Sequence, residues 1–133
     1  MKELTTEAVV QSIAQVTQFV DEELERVGCS PRAQMQLDVA IDEILGNIAR
    51  YAYAPGTGRV TVRADVAPGR ATLTFIDSGA PFNPLEAKEP DVSLPAQERQ
   101  IGGLGIFLVR KTMDDMHYAR QNGQNILTLT KTL

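Results

Sequence analysis

Val60-Thr61-Val62-Arg63-Ala64-Asp65-Val66-Ala67-Pro68-Gly69-Arg70-Ala71-Thr72-Leu73-Thr74-Phe75-Ile76-Asp77 alternates apolar and polar side chains on both sides of a Pro-Gly turn. Side chains along a strand point to opposite faces in turn, so Val60, Val62 and Ala64 share one face, as do Leu73 and Phe75. Ala67-Pro68-Gly69 reverses the chain between them, and the two arms read as an antiparallel hairpin with one buried face. Such a face needs a second layer to cover it.

The cover lies upstream. Val9, Ile13, Val16, Val20, Leu24 and Val27 recur at spacings of three and four, the mark of an amphipathic helix. Thr5 and Thr6 are its expected cap, after a short strand at Lys2–Leu4, and Gly28 its stop. Ser30 as cap and Pro31 at the first helical position open a second helix. This helix should run to about Tyr51 and bury Met35, Leu37, Ile41, Ile44, Leu45 and Ile48. Ala54-Pro55-Gly56-Thr57-Gly58 breaks it.

Downstream of Asp77 the character changes. Pro81, Pro84, Pro90 and Pro95 rule out long regular elements, and residues from about 80 to 103 read as a lid-like loop. Leu104 to about Asp115 predicts a third helix, with Ile106, Leu108, Val109 and Met113 apolar. Met116–Arg120 and Asn125–Thr130 flank Asn122-Gly123, a strong two-residue hairpin signal. The expected fold is α+β: one domain over residues 1–133, a two-layer sandwich with helices on one face of a mixed, mainly antiparallel sheet.

Bulk properties narrow the function. The chain of 133 residues is 43% apolar and 23% charged, with a net charge of −4. Its Lys and Arg residues are scattered, without a basic stripe or aromatic platform, so a nucleic-acid partner is unsupported. Cys29 is the single cysteine, which excludes an internal disulfide. No apolar run approaches the ~18 residues of a membrane span and no basic-then-apolar leader is visible, so the cytoplasm is the expected compartment.

Three segments carry candidate chemistry. In Asp38-Val39-Ala40-Ile41-Asp42-Glu43-Ile44-Leu45-Gly46-Asn47-Ile48-Ala49-Arg50, Glu43 and Asn47 stand four apart, one turn from each other on the same helical face. A carboxylate there can accept a hydroxyl proton, and an amide oxygen can ligate Mg²⁺. Arg50 shares that face and could meet a phosphate or lie on the surface. In Phe75-Ile76-Asp77-Ser78-Gly79-Ala80-Pro81-Phe82, Asp77 ends an apolar strand where it could simply make a turn, or accept a hydrogen bond from an exocyclic amine. Gly79 would let the backbone approach a flat ring. Gly102-Gly103-Leu104-Gly105 could be a hinge, or a helix start whose free N–H groups face phosphate oxygens. It is neither a Walker A loop nor a dinucleotide fingerprint.

Together these boxes resemble, in order and spacing, the GHKL ATPase superfamily, which includes gyrase B, MutL and histidine kinases. The nearer resemblance is to its anti-sigma factor serine/threonine kinase branch, the RsbW and SpoIIAB type, over about residues 30 to 131. Asp42-Glu43 through Asn47 to Tyr51-Ala52-Tyr53 looks like the N-box, and Asp77-Ser78-Gly79-Ala80-Pro81-Phe82-Asn83-Pro84 like the Asp-x-Gly-x-Pro-Phe-Asp-Pro box. Gly102 to Arg110 looks like the second glycine box. The resemblance implies a Bergerat-type fold that binds ATP and Mg²⁺. Glu43 would be the general base and Asn47 the Mg²⁺ ligand, with Arg50 near phosphate. Asp77 and Gly79 would read adenine, with Phe82 beside them, while Gly103, Leu104 and Gly105 cradle phosphates. Arg99 is similar to a lid arginine that approaches the terminal phosphate or the partner. The implied partners are a sigma factor and a STAS-type anti-sigma factor antagonist, phosphorylated on serine, and family members often pair as homodimers. The alternative is a nucleotide-dependent binding module without phosphotransfer. Three positions depart from the pattern: Tyr51 stands where many members have His, Asn83 replaces Asp, and Gly123-Gln124-Asn125 occupies the region of a usual Gly-Thr. His117, the sole histidine, carries no expected role.

Overall fold

A computed structural model describes residues 1–86 and 103–133. The described elements are strand β1 (Lys2–Glu7), helix α1 (Ile13–Arg26), helix α2 (Pro31–Asn47), strands β2 (Arg59–Ala67) and β3 (Arg70–Asp77), helix α3 (Gly103–Thr112), and strands β4 (Asp115–Gln121) and β5 (Gln124–Thr132). Five strands form one sheet in the order β1-β2-β3-β5-β4. Every pairing is antiparallel, so the expected mixed character is replaced by a wholly antiparallel sheet among the described residues. Both predicted hairpins form. The second turns on Asn122 and Gly123, with φ of 52° and 77°, the left-handed pair that matches strand twist.

Val60, Val62, Ala64, Leu73, Phe75, Leu127 and Leu129 face the helices and are buried. From the helical layer, Val16, Val20 and Leu24 of α1 meet Leu37, Ile41 and Ile44 of α2 and Val109 of α3 over them. α2 lies between α1 and α3, so it forms the centre of the upper layer. The far side of the sheet carries half-buried Thr72, Thr74, Ile76, Ile126 and Thr128.

Several expected boundaries move. Thr5 and Thr6 do not cap α1 but lie in β1, whose register pairs Thr5 with Thr61 and Thr6 with Val60. A 3₁₀ turn at Val10–Ser12 leads into α1 instead. Gly28 does end the helix, at φ +70°. Ser30 caps α2 as expected, accepting from Ala33 N at 3.2 Å. Met35 is 61% exposed rather than buried. It precedes Leu37 by two residues, roughly 200° around the helix, so it points away from the core. Ile48 is half-buried and opens a π turn, Ile48–Ala52, beyond the end of α2. α3 stops at Thr112 because Asp115 begins β4, and Leu108 is 47% exposed on its outer side.

Asp21 of α1 and Asp38 of α2 meet where the helices pack. Each has a buried Oδ1 with no hydrogen-bond donor among the described residues. Burial first, then Asp21, raises the Asp38 carboxyl to about 7. Carboxylates offer only acceptors, so this pair forms a hydrogen bond when one of them holds a proton. Burial also pushes the neighbouring Cys29 thiol up, which keeps it protonated and inert.

Candidate functional site

The last turn of α2 presents three linked groups. Asn47, 7% exposed, donates through Nδ2 to Glu43 Oε1 at 3.4 Å. Its Oδ1 accepts from Arg50 Nη2 at 3.1 Å. The Arg50 guanidinium lies 5.7 Å from the centre of the Tyr51 ring, a cation–π distance. Carboxylate, amide and guanidinium therefore run in series along one face, as the i, i+4 spacing requires. Gly105, in the first turn of α3, touches the start of this series. A Cβ placed there would sit 2.2 Å from Glu43 Cδ, so any larger residue would make the Glu43 carboxylate swing away.

Asp77 ends β3 opposite Val60 on one side and Asn125 of β5 on the other. It is 5% exposed. Its Oδ1 accepts from Gly79 N and from Asn125 Nδ2, both at 2.9 Å. Gly79 has a different reason from the expected approach to a flat ring. A Cβ there would fall 2.2 Å from the Ala52 carbonyl oxygen, and the next residue, Ala80, donates its N–H to that oxygen at 2.8 Å. The loop after β3 is thus laced to the π turn after α2. Tyr53 adds a second tie: its hydroxyl accepts from Ser78 N at 2.7 Å and donates to Arg59 O at 2.6 Å. Arg120 holds Gly79 O at 2.8 Å.

Asn47 and Asp77 line one cavity, with Ile44, Phe75, Ile106 and Leu127 among its apolar walls. Tyr51 and Phe82, each about half exposed, stand at its rim. Its volume is about 40 Å³, well below the roughly 300–1,000 Å³ of an open ligand pocket. The donor set suits ATP: an apolar slot with one buried carboxylate for an amine, and an amide oxygen one turn from a second carboxylate. Among the described residues no group of three His, Cys, Asp or Glu is placed to hold a metal ion.

Of the predicted residues, Asn47, Asp77 and Phe82 line this cavity. Glu43 and Arg50 stand beside it, each hydrogen-bonded to Asn47. Gly103 and Leu104 begin α3 beside Gly105. Arg99 and residues 87–102 of the expected lid lie outside the described residues. Asn125 and Tyr118 also line the cavity, and the sequence reading gave neither a role there. Asparagine is depleted in strands, so a buried Asn at the start of β5 was the available signal.

A five-stranded antiparallel sheet under three helices, with an acid–amide turn facing a strand-end carboxylate, defines a nucleotide-binding ATPase domain of the GHKL class. The chain belongs to the histidine kinase-like ATPase domain family, whose model matches residues 6–131. Among curated relatives, serine/threonine-protein kinase BtrW of Bordetella bronchiseptica is 32% identical over 102 residues, which span 76% of this chain and 72% of that protein. Serine-protein kinase RsbW of Bacillus mycoides is 26% identical over 106 residues, spanning 77% and 66%. For RsbW of Bacillus cereus the chain spans 59% of the relative's length. Among solved structures, the RsbU and RsbW domains of Rv1364c from Mycobacterium tuberculosis superpose with a TM-score of 0.68 at 19% identity, over 100% of this chain and 33% of that one. The histidine kinase AdeS of Acinetobacter baumannii gives a TM-score of 0.52 at 13% identity, over 99% and 68%. At these identities the likeness is one of fold. No helix among the described residues is long and apolar enough to cross a membrane.

Proposed function

We propose that this chain is an ATP- and Mg²⁺-dependent protein serine kinase that also acts as an anti-sigma factor. Its substrate would be a STAS-type antagonist, its other partner a sigma factor, and its working form a homodimer in the cytoplasm. The observation that supports this reading is that Asn47, hydrogen-bonded to Glu43, lines the same cavity as Asp77. The names of the relatives, serine-protein kinases, point the same way.

In this mechanism Asp77 accepts the adenine amine and the apolar walls sandwich the ring. Asn47 would hold Mg²⁺ through Oδ1, exchanging its bond to Arg50 for it. Arg50, which now holds Asn47 Oδ1, would be available to pair with a phosphate. Bound Mg²⁺ supplies charge neutralisation at the transferring phosphoryl group. Glu43 accepts the proton of the substrate serine as its oxygen attacks the γ-phosphorus, and ADP leaves. Gly103, Leu104 and Gly105 would direct backbone N–H groups toward the phosphates, and Arg99 would close from the lid at about residues 80–103.

The test is incubation with γ-labelled ATP and a co-encoded STAS protein. Label should move to a serine of the partner, and Glu43→Gln should lower that transfer by about 10²-fold or more while retaining nucleotide. A stable but unlabelled complex would instead establish the binding-module alternative.

A further inference from the structure

Asn125 uses every hydrogen-bonding capacity of its side chain inside the protein. Nδ2 donates to Asp77 Oδ1 and to Ala80 O, both at 2.9 Å. Oδ1 accepts from the Tyr118 hydroxyl and from Phe82 N. The opposite amide orientation would face two acceptors with an acceptor and two donors with a donor, so the network fixes this one. Asn125 is 5% exposed and lies at the edge of the same cavity.

The consequence falls on Asp77. Its Oδ1 already holds two N–H donors, from Gly79 and Asn125, and the carboxylate is buried. Two donors on one oxygen lock the carboxyl plane. Oδ2 is then the oxygen left to the cavity, and an ionised oxygen only accepts. A purine with an exocyclic amine satisfies it, whereas an oxo-purine presents oxygen to oxygen. We infer that Asn125 is a positioning residue that makes this site select an amino-purine over an oxo-purine, by holding Asp77 as an acceptor with Oδ2 toward the base. The inference rests on the nucleotide reading above.

Calorimetric titration of the full chain with ATP and with inosine triphosphate, at pH 6 and pH 8, tests it. Inosine triphosphate carries an oxo group where adenine has its amine. Wild-type protein at each pH is the reference. Asn125→Asp sets a second carboxyl against Asp77 Oδ1, and at pH 8 the like charges should cost ATP affinity about tenfold or more. At pH 6 a proton shared between the two carboxyls replaces the amide hydrogen, and affinity should return to within about threefold of wild type. A flat profile at wild-type affinity overturns the inference and leaves the nucleotide reading standing. Wild-type protein that binds neither nucleotide removes that reading and this inference with it. Should Asn125→Asp fail to fold, Asn125→Ser is the second variant, being too short to reach Asp77. Its preference for ATP over inosine triphosphate should fall about tenfold. Equal weakening toward both nucleotides would mark a merely structural role and overturn the inference.

Discussion

Single residues in this fold serve two demands at once. Asp77 closes the second strand of the central hairpin and also forms the floor of the cavity, its Oδ1 committed to Gly79 and Asn125. In Asp77→Asn the amide oxygen must stay with those two donors, which turns an NH₂ group toward the ligand. A base amine would then meet a donor, and nucleotide binding should weaken by roughly 1–3 kcal/mol, the cost of an unmatched buried polar group. Calorimetry returning wild-type affinity would remove Asp77 from the site. Gly79 and Gly105 were legible as glycines that something must approach closely, but not by what. The approaching groups are the Ala52 carbonyl and the Glu43 carboxylate, which come from other elements. Spacing along the chain carries no information about such encounters.

Elements were legible where periodicity and punctuation agreed. Ser30-Pro31 fixed the start of α2, and the two hairpins followed from alternation around Pro68-Gly69 and Asn122-Gly123. β1 was legible only in its first half. Lys2–Glu7 has five polar residues in six and lies at the sheet edge, so Thr5 and Thr6 looked like a helix cap. The seam between α1 and α2 was hidden altogether, since Asp21 and Asp38 each read as ordinary surface acids. Their meeting has a thermodynamic sign. The folded Asp38 carboxyl titrates near 7 against an ordinary 3.8, so between those values the folded chain holds a proton that the unfolded chain has lost. Stability should therefore fall as pH rises from about 4 to about 7. Asp38→Asn should flatten that slope and raise the melting temperature at pH 8, as thermal scans across pH would record. A variant with the wild-type slope would disconnect the pair from stability.

At the scale of the molecule, residues 43, 77, 105 and 125 come from four different elements: Asp77 and Asn125 line one cavity, and Gly105 packs on Glu43 beside it. Only the recognised order of boxes joined the first three in advance, because their meeting depends on sheet order and on α2 lying over the hairpin. A site assembled this way couples ligand to folding. Mg²⁺-ATP at about a hundredfold excess over its dissociation constant should stabilise the fold by ~2.7 kcal/mol. For a domain of this size that corresponds to a melting shift of order 10 °C, readable by calorimetric scanning. An unmoved midpoint under saturating nucleotide would contradict binding to the native state. The main-chain bond from Ala80 to Ala52 and the Tyr53 bridge also decide which wall can give way. Loop and π turn are joined on that side, so they behave as a single anvil, and the slot widens by travel of α3 opposite it. Amide exchange should accordingly register breathing in α3 well before it does so at Gly79 or Ala80.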